Sequence, residues 1–338
     1  MQEIILSVIV PVYNAEHFIS RCLDSLLCQW PEEDSRYEII CINDGSTDSS
    51  AQILSEYQIR FPSRIKLHHQ ENQGHSAARN AGLALAQGAI IAFCDADDYL
   101  AKGSYYYLFT HFWEEGIDIL KFWSVTLDKK MLRKWQEMPL SGNILFEGYG
   151  QDAILLNRLP SFIWTTFYRR ELLERNNIHF ASIVIGEDDL FNLEVYVKNP
   201  KVREVDTCAY FYTTSKTQLT RVREKKAMRE SVNGYLQSFD KYIECSHQYT
   251  DLSETLKNRL QGLLLPFISR ALCAKLSRND FLRLRHFLVK NGLIPAKGLG
   301  LWGDFINFSI KNFYLFRISG FFYKNIFVKL ILPHLSRN

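Results

Sequence analysis

The chain has 338 residues, 47% hydrophobic and 23% charged, with a formal net charge of +3. That is the composition of an ordinary globular protein, long enough for one large domain with an extension or for two domains. Charge is spread unevenly. From Phe281 onward nine Lys/Arg face the single acid Asp304, a local +8 that leaves −5 for everything before it. The seven cysteines are odd in number and never spaced CxxC, which disfavours zinc and fits reduced, buried thiols in a cytosolic protein. The first apolar run has no basic region before it and ends at Pro11, so it is not read as a signal peptide. No uncharged apolar stretch approaches the roughly 20 residues a spanning helix needs. A cytoplasmic location is expected.

In chain order, Ile4–Pro11 reads as a buried parallel strand, rich in β-branched residues and closed by proline. Ala15–Cys28 has helical period, with Phe18, Ile19, Cys22, Leu23, Leu26 and Leu27 on one face. Tyr37–Ile42 is a second strand, ending in Asn43-Asp44-Gly45-Ser46-Thr47-Asp48, with Asp48 placed to cap the following helix. A third strand, Ile65–His69, precedes a Gly74 loop, a helix over Ser76–Ala86, and the apolar run Ala89–Cys94. This alternation predicts a doubly wound, mainly parallel sheet with helices on both faces. Right-handed crossovers then bring Pro11–Asn14, Asn43–Ser46 and Asp95–Asp98 to one edge. There is no GxGxxG after the first strand and no GxxxxGK[ST] anywhere, which removes most support for dinucleotide-binding and P-loop readings.

Further on, Ile117–Leu127 is a predicted strand and Met131–Gly150 is irregular. Phe162–Tyr168 is aromatic and β-prone, followed by a short helix from Arg170 to about Asn176. Glu187-Asp188-Asp189 opens a helix to Tyr196, and Val202–Tyr212 is the last strand. From about Lys225 the chain reads as helices, firmest over Glu230–Tyr242, Leu252–Lys275 and Asn279–Val289, with Pro266 expected to kink or break the second. The division expected is a domain over residues 1–220 and a helical, basic and aromatic extension over 221–338.

Asp95-Ala96-Asp97-Asp98, at the C-terminal tip of a short buried strand, is the stretch on which the chemistry turns. Three carboxylates so close repel one another unless something positive sits between them. A hard divalent cation bridging one or two of them to a substrate's phosphates is one explanation. Capping of the helix beginning near Lys102 by Asp97 or Asp98 is the other. At Glu187-Asp188-Asp189 the competing reading is likewise a favourable interaction with the helix dipole.

The ordered set Ser7–Asn14, Asn43–Asp48, Gly74–Gly82 and Asp95–Asp98, continued by Trp164, Tyr168–Leu173 and Glu187-Asp188 with Phe191, resembles the family 2 inverting glycosyltransferases of the GT-A fold, bacterial surface-polysaccharide type. The resemblance covers roughly residues 3 to 220. It implies transfer of a sugar from a nucleotide-diphosphate donor, a UDP-sugar, to a hydroxyl of a glycan or lipid-linked glycan. Donor binding would fall to Pro11, Tyr13 (stacking on the base), Asp44, Arg79, Asp95 and Ala96. Asp97, with Asp95, would hold Mn²⁺ or Mg²⁺. Asp188 would be the general base, with Glu187 as the alternative base or its orienting partner, and Trp164 would contact the acceptor. This chain departs from many relatives at Asn43, His75 and Thr166, and has Thr213-Thr214-Ser215-Lys216 where an arginine or histidine is usual; Lys216 or Arg221 would then close over the diphosphate.

Two rival classes stay open on sequence alone. A sugar- or nucleotide-binding module of the same fold without turnover would have no reason to keep Asp95, Asp97 and Asp188 together. A nucleotidyltransferase would carry a Gly-rich, basic loop after the first strand, which is missing. The tail, Trp302–Leu332, interleaves seven phenylalanines with Lys311, Arg317, Lys324 and Lys329. Its cations do not fall on one helical face. Either Gly320 divides it or its aromatics pack on the catalytic domain. The interleaving itself, aromatics to dip into a headgroup layer and cations to meet anionic lipid, makes a membrane surface a second expected partner, peripheral on the cytoplasmic face of the inner membrane. Nucleic acid is not expected, because the density of Phe favours lipid over phosphate backbone.

Overall fold

The computed structural model describes residues 3–31, 34, 36–126, 140–213, 225–274, 276–296 and 300–323. Two compact units are present: residues 1–182 with 187–215, and residues 183–186 with 216–338.

The first unit opens with the alternation expected: β1 (Leu6–Val12), α1 (Ile19–Leu27), β2 (Tyr37–Asp44), α2 (Ser50–Arg60), β3 (Ile65–Gln70), α3 (His75–Leu85) and β4 (Ile90–Phe93). These strands read as unbroken apolar runs because both faces of β1, β2 and β4 are buried, as in a parallel sheet covered by helices on each side. β1 pairs in parallel with β2 from Leu6↔Tyr37 to Val12↔Asn43 and with β4 from Leu6↔Ile90 to Ile9↔Phe93. All three chains therefore exit at the same edge. α3 packs unusually close to β1: a Cβ at Gly82 would lie 2.3 Å from Cγ2 of Ile9. Gly45, with φ +69°, makes the turn after β2.

The second half of the unit adds β5 (Tyr99–Leu100), α4 (Ser104–Phe112), β6 (Ile119–Thr126), β7 (Ile144–Tyr149), α5 (Gly150–Leu155), β8 (Thr166–Arg169), α6 (Arg170–Arg175), α7 (Glu187–Tyr196) and β9 (Lys201–Tyr212). The nine-stranded sheet runs β3-β2-β1-β4-β8-β6-β9-β5, with β7 on β9. β8 lies antiparallel between β4 and β6, and β5 and β7 are antiparallel to β9. The sheet is thus mixed: parallel through its first half, antiparallel at most joints of its second. Part of the region expected to be irregular is β7. Its alternating half-exposed pattern and Gly148 hide a strand that takes its register from β9.

The second unit contains α8 (Lys225–Gln248), α9 (Ser253–Cys273), α10 (Arg278–Lys290), α11 (Gly300–Ile310) and α12 (Phe313–Phe322). α9 continues through Pro266 without a break, its buried Leu260, Leu264, Phe267 and Ile268 offsetting the lost backbone bond. The tail divides at Lys311-Asn312, where Asn312 caps α12, and not at Gly320, which lies inside that helix. Phe313 and Phe316 pack on Phe281 of α10, so these two aromatics serve the helical unit itself. Lys324, Phe327 and Lys329 lie outside the described residues. Among the described residues no helix is long and apolar enough to cross a membrane. Cys22, Cys41, Cys94 and Cys245 are buried, in line with the apolar stretches that carry them.

Candidate active site

At the exit edge of the parallel strands, Asn14 follows β1 and its backbone N–H donates to Ser46 Oγ at 3.1 Å, while Thr47 N–H donates to Asn14 Oδ1 at 2.8 Å. Tyr13 stands beside this knot with 50% of its surface exposed. Asp44, at the end of β2, is buried and accepts from Gln70 Nε2 (2.7 Å), Gln73 N (2.9 Å) and Gly74 N (2.8 Å). A carboxylate offers about four acceptor positions, so this one shapes the loop and retains capacity for a further donor.

α3 explains why Arg79, Asn80 and Gly82 sit so close in sequence. Gly82 lets the helix approach β1. Asn80 clasps Phe180, donating from Nδ2 to its carbonyl (2.9 Å) and accepting its N–H (2.8 Å), and Phe180 stacks on Phe191 of α7 at 4.2 Å. Arg79, 4% exposed, then reaches three carboxylates at once. Its Nη1 donates to Glu187 Oε1 (3.0 Å) and Asp188 Oδ1 (3.1 Å), and its Nη2 to Asp95 Oδ1 (3.0 Å). One buried guanidinium thereby joins the tip of β4 to the first turn of α7.

The two acids of α7 are driven apart by their surroundings. Burial would raise Glu187, but His75, whose Nε2 lies 2.8 Å from Glu187 Oε1, and Arg79 outweigh it and hold the carboxyl down at about 2. Burial raises Asp188, with the Glu187 and Asp95 charges adding to the rise against Arg79, and its carboxyl stands well above the ordinary range. Glu187 is the fixed anion of the pair and Asp188 the group with affinity for a proton.

In the loop after β4 the three aspartates have different environments. Asp98 is fully buried, accepting from Tyr210 Oη (2.8 Å) and Thr213 N (2.7 Å). Burial and the Asp95 and Asp97 charges push its carboxyl up to about 8. Neither Asp97 nor Asp98 caps α4, whose N-cap is Gly103. The Asp97 carbonyl accepts from Arg21 Nη2 (3.1 Å) and Thr213 Oγ1 (2.5 Å), and Asp95 N–H donates to Tyr210 Oη (3.1 Å). Asp95, with a third of its side chain exposed, and Asp97, partly buried, are the hard oxygen donors of this loop. Among the described residues no group of three or more His, Cys, Asp or Glu closes around a metal position. That donor set fits Mg²⁺ or Mn²⁺ taking one or two carboxylates plus phosphate oxygens and water, not an all-protein cage.

Residues 7–176 match the family model described as glycosyl transferase family 2. The chain belongs to that family. The glycosyltransferase is 34% identical over 241 residues to the uncharacterized glycosyltransferase EpsJ of Bacillus subtilis, covering 69% of this chain and 68% of that one. It is 31% identical over 265 residues to the poly(ribitol-phosphate) beta-glucosyltransferase of Bacillus spizizenii, covering 77% of this chain and 39% of that protein. Among solved structures, Staphylococcus aureus TarS 1–349 in complex with UDP superposes with TM-score 0.58 at 21% identity, over 95% of this chain and 91% of that one. The mannosyltransferase PcManGT of Pyrobaculum calidifontis, in complex with GDP-Man and Mn²⁺, gives 0.54 at 17% identity, over 96% and 87%. These two likenesses show the GT-A fold.

Of the residues singled out from the sequence of the glycosyltransferase, Arg79, Asp95, Glu187 and Asp188 come together. Tyr13 and Asp44 share the strand edge with them. Pro11 is within β1 and Ala96 is 9% exposed. Trp164 is 6% exposed, with the rings of Phe162 (4.8 Å), Tyr210 (4.5 Å) and Tyr212 (5.7 Å) stacked against it. Thr166 is buried in β8 and brings no cation. Lys216 and Arg221 lie outside the described residues. Sequence reading missed Asn80 and Tyr210, whose roles depend on partners about a hundred residues away.

Proposed function

We propose that this glycosyltransferase moves a sugar from a UDP-sugar to a hydroxyl of a glycan or lipid-linked glycan acceptor, with inversion and Asp188 as general base. The observation that carries the reading is Arg79, buried between Asp95 on the strand edge and Glu187-Asp188 on α7. The base must stand across the anomeric carbon from the leaving diphosphate, one sugar ring away from the strand edge that holds it, and this guanidinium ties those two places together. Tyr13 offers an exposed ring to the base of the nucleotide, a stacking contact open to any nucleobase. Asp44 accepts a donor from base or ribose, while Pro11 and Ala96 border the nucleotide. The UDP and UDP-GlcNAc complexes of TarS support UDP as the nucleotide. Asp97, with Asp95, would hold Mn²⁺ or Mg²⁺, which neutralises charge on the departing diphosphate.

Glu187 stays ionised and keeps Arg79 in place. Asp188 takes the proton from the acceptor hydroxyl as oxygen attacks the anomeric carbon opposite the leaving group. A single in-line displacement with one carboxylate base inverts the configuration. Its raised proton affinity suits that task better than an ordinary carboxylate would. Trp164 belongs to the acceptor side. The test is UDP release from UDP-glucose, UDP-galactose and UDP-GlcNAc, each with Mn²⁺, with Mg²⁺ and with EDTA. Metal-dependent release from one donor, with an inverted anomer by NMR, is expected. Release from none of them with either metal, or a retained anomer, would overturn the reading.

The exposed Phe308, Tyr314 and Ile318 of α11 and α12 support peripheral attachment to anionic membrane. Flotation with phosphatidylglycerol liposomes is expected to carry the full chain and not a chain in which all three are replaced by serine.

A further inference from the structure

Phe162 is an aromatic side chain standing in the open, 52% exposed, just before the buried Trp164. It is not loose. Its ring lies 4.8 Å from the Trp164 ring at an interplanar angle of 18°, and Trp164 is stacked in turn 4.5 Å from Tyr210 at 19°. The Tyr210 hydroxyl accepts Asp95 N–H and donates to Asp98, so the inner end of this ring stack is hydrogen-bonded to the acidic loop after β4. The backbone of Phe162 is fixed from a second direction. Its carbonyl accepts from Asn192 Nδ2 at 3.1 Å, and Asn192 Oδ1 accepts from Tyr168 Oη at 2.7 Å. Asn192 lies four residues beyond Asp188 on α7, hence on the same side of that helix.

One exposed phenyl ring is therefore registered both to the loop that carries Asp95 and to the helix that carries Asp188. A flat apolar surface held rigid by stacking from behind needs no ordering when a ligand arrives, which is where affinity for weakly binding sugars is usually lost. The C–H face of a pyranose is flat and apolar, whereas its hydroxyls point outward from the rim and stay free to meet a base. A polyol chain presents no such face.

We propose that Phe162 is the stacking platform for a pyranose ring of the acceptor, with Trp164 as its rigid backing. The proposal rests on the glycosyl-transfer reading above and narrows the acceptor: a cyclic sugar at the attacking residue, not an acyclic polyol. Trp164 then acts through Phe162, as a positioning residue.

The test uses the full chain, Phe162→Ala and Phe162→Tyr, with methyl β-D-glucopyranoside, methyl β-D-galactopyranoside, N-acetylglucosamine and ribitol as probes. Saturation-transfer NMR is read with and without UDP, and UDP affinity is measured by calorimetry. At least one pyranoside should bind, with strongest saturation at its ring C–H protons, and ribitol should not. Phe162→Ala should weaken that pyranoside at least tenfold, and Phe162→Tyr should restore it to within about twofold. UDP affinity and melting temperature should be alike in all three. Pyranoside binding untouched by Phe162→Ala, absent from the full chain, or matched by ribitol would overturn the proposal. Failure of UDP to bind would instead strike the donor reading, because the sugar arm without UDP is read separately.

Discussion

Two buried arginines of the first unit, Arg79 and Arg203, look alike in sequence and differ in what surrounds them. Each is about 5% exposed and each is gripped by carboxylates. Arg203, in β9, uses its whole fork: Nη1 donates to the Phe112 carbonyl and to Glu114, Nη2 to Glu114, and Nε to Glu147. Its acids are 65% and 38% exposed, so water shares in stabilising them, and the Glu114 carboxyl is simply lowered by its arginine. Arg79 serves three carboxylates that are 11%, 15% and 32% exposed, and its Nε is buried without a hydrogen bond. The first arrangement is a clamp with its charges settled. The second gathers three less exposed carboxylates around one guanidinium, and burial, with the Glu187 and Asp95 charges adding to it, raises the proton affinity of Asp188. Charge imbalance, not burial of an arginine, marks the site.

The contrast is broken hardest at Asp188. Asp188→Asn should lower transfer about 10³-fold, the range of a general base, while UDP affinity by calorimetry stays unchanged. In the unaltered chain kcat should rise with pH as Asp188 loses its proton, with an acid limb clearly above the ordinary carboxylate value of about 4. A limb near pH 4 would take the base role from Asp188. The next effect separates the two arginines directly. Arg79→Lys keeps the charge but loses the fork, about 3 kcal/mol of charge-assisted hydrogen bonding, so kcat/KM should fall about 100-fold. Arg203→Lys should lower the stability to urea by about 1–2 kcal/mol and leave kcat/KM within about threefold. Equal losses of activity in the two variants would remove the distinction.

The smallest effect is expected at His75. Glu187 is depressed in the folded chain from 4.5 to about 2, so the stability it contributes is full above its ordinary value and fades as pH falls toward 2. His75→Gln removes one of the two partners responsible, and the loss should set in at higher pH, by on the order of 1 kcal/mol. Urea midpoints between pH 3 and 7 read this shift; superimposable profiles would assign Glu187's state to Arg79 alone.

The parallel half of the sheet was legible because buried parallel strands write themselves as continuous Val/Ile runs, and the exit of β1, β2 and β4 at one edge follows from crossover handedness. The acids at 187 and 188 could be recognised by type and order. Their division into a fixed anion and a proton acceptor could not, since it depends on His75 and Arg79 arriving from α3. The burial of Asp98 could not be told from the sequence, because the partners that enclose it, Tyr210 and Thr213, come from the far end of the unit. β7 was missed because a half-exposed strand with a glycine inside it has no period strong enough to announce it, and Gly320 drew the break that belongs to Asn312. Phe162 carried no signal at all until the rings behind it were seen in a stack.

The carboxamide of Asn80 both gives and receives a hydrogen bond with the backbone of Phe180, as a neighbouring strand would. A lone side chain thus stands in for a missing sheet partner and indexes α7 to α3. Aspartate at this position would forfeit the giving half, leucine both, and glutamine would carry the same group one methylene too far. The setting of the acids against Arg79 is therefore hostage to a single residue that touches neither sugar nor nucleotide, and a lineage could retune its enzyme from there while leaving every reacting group as it was.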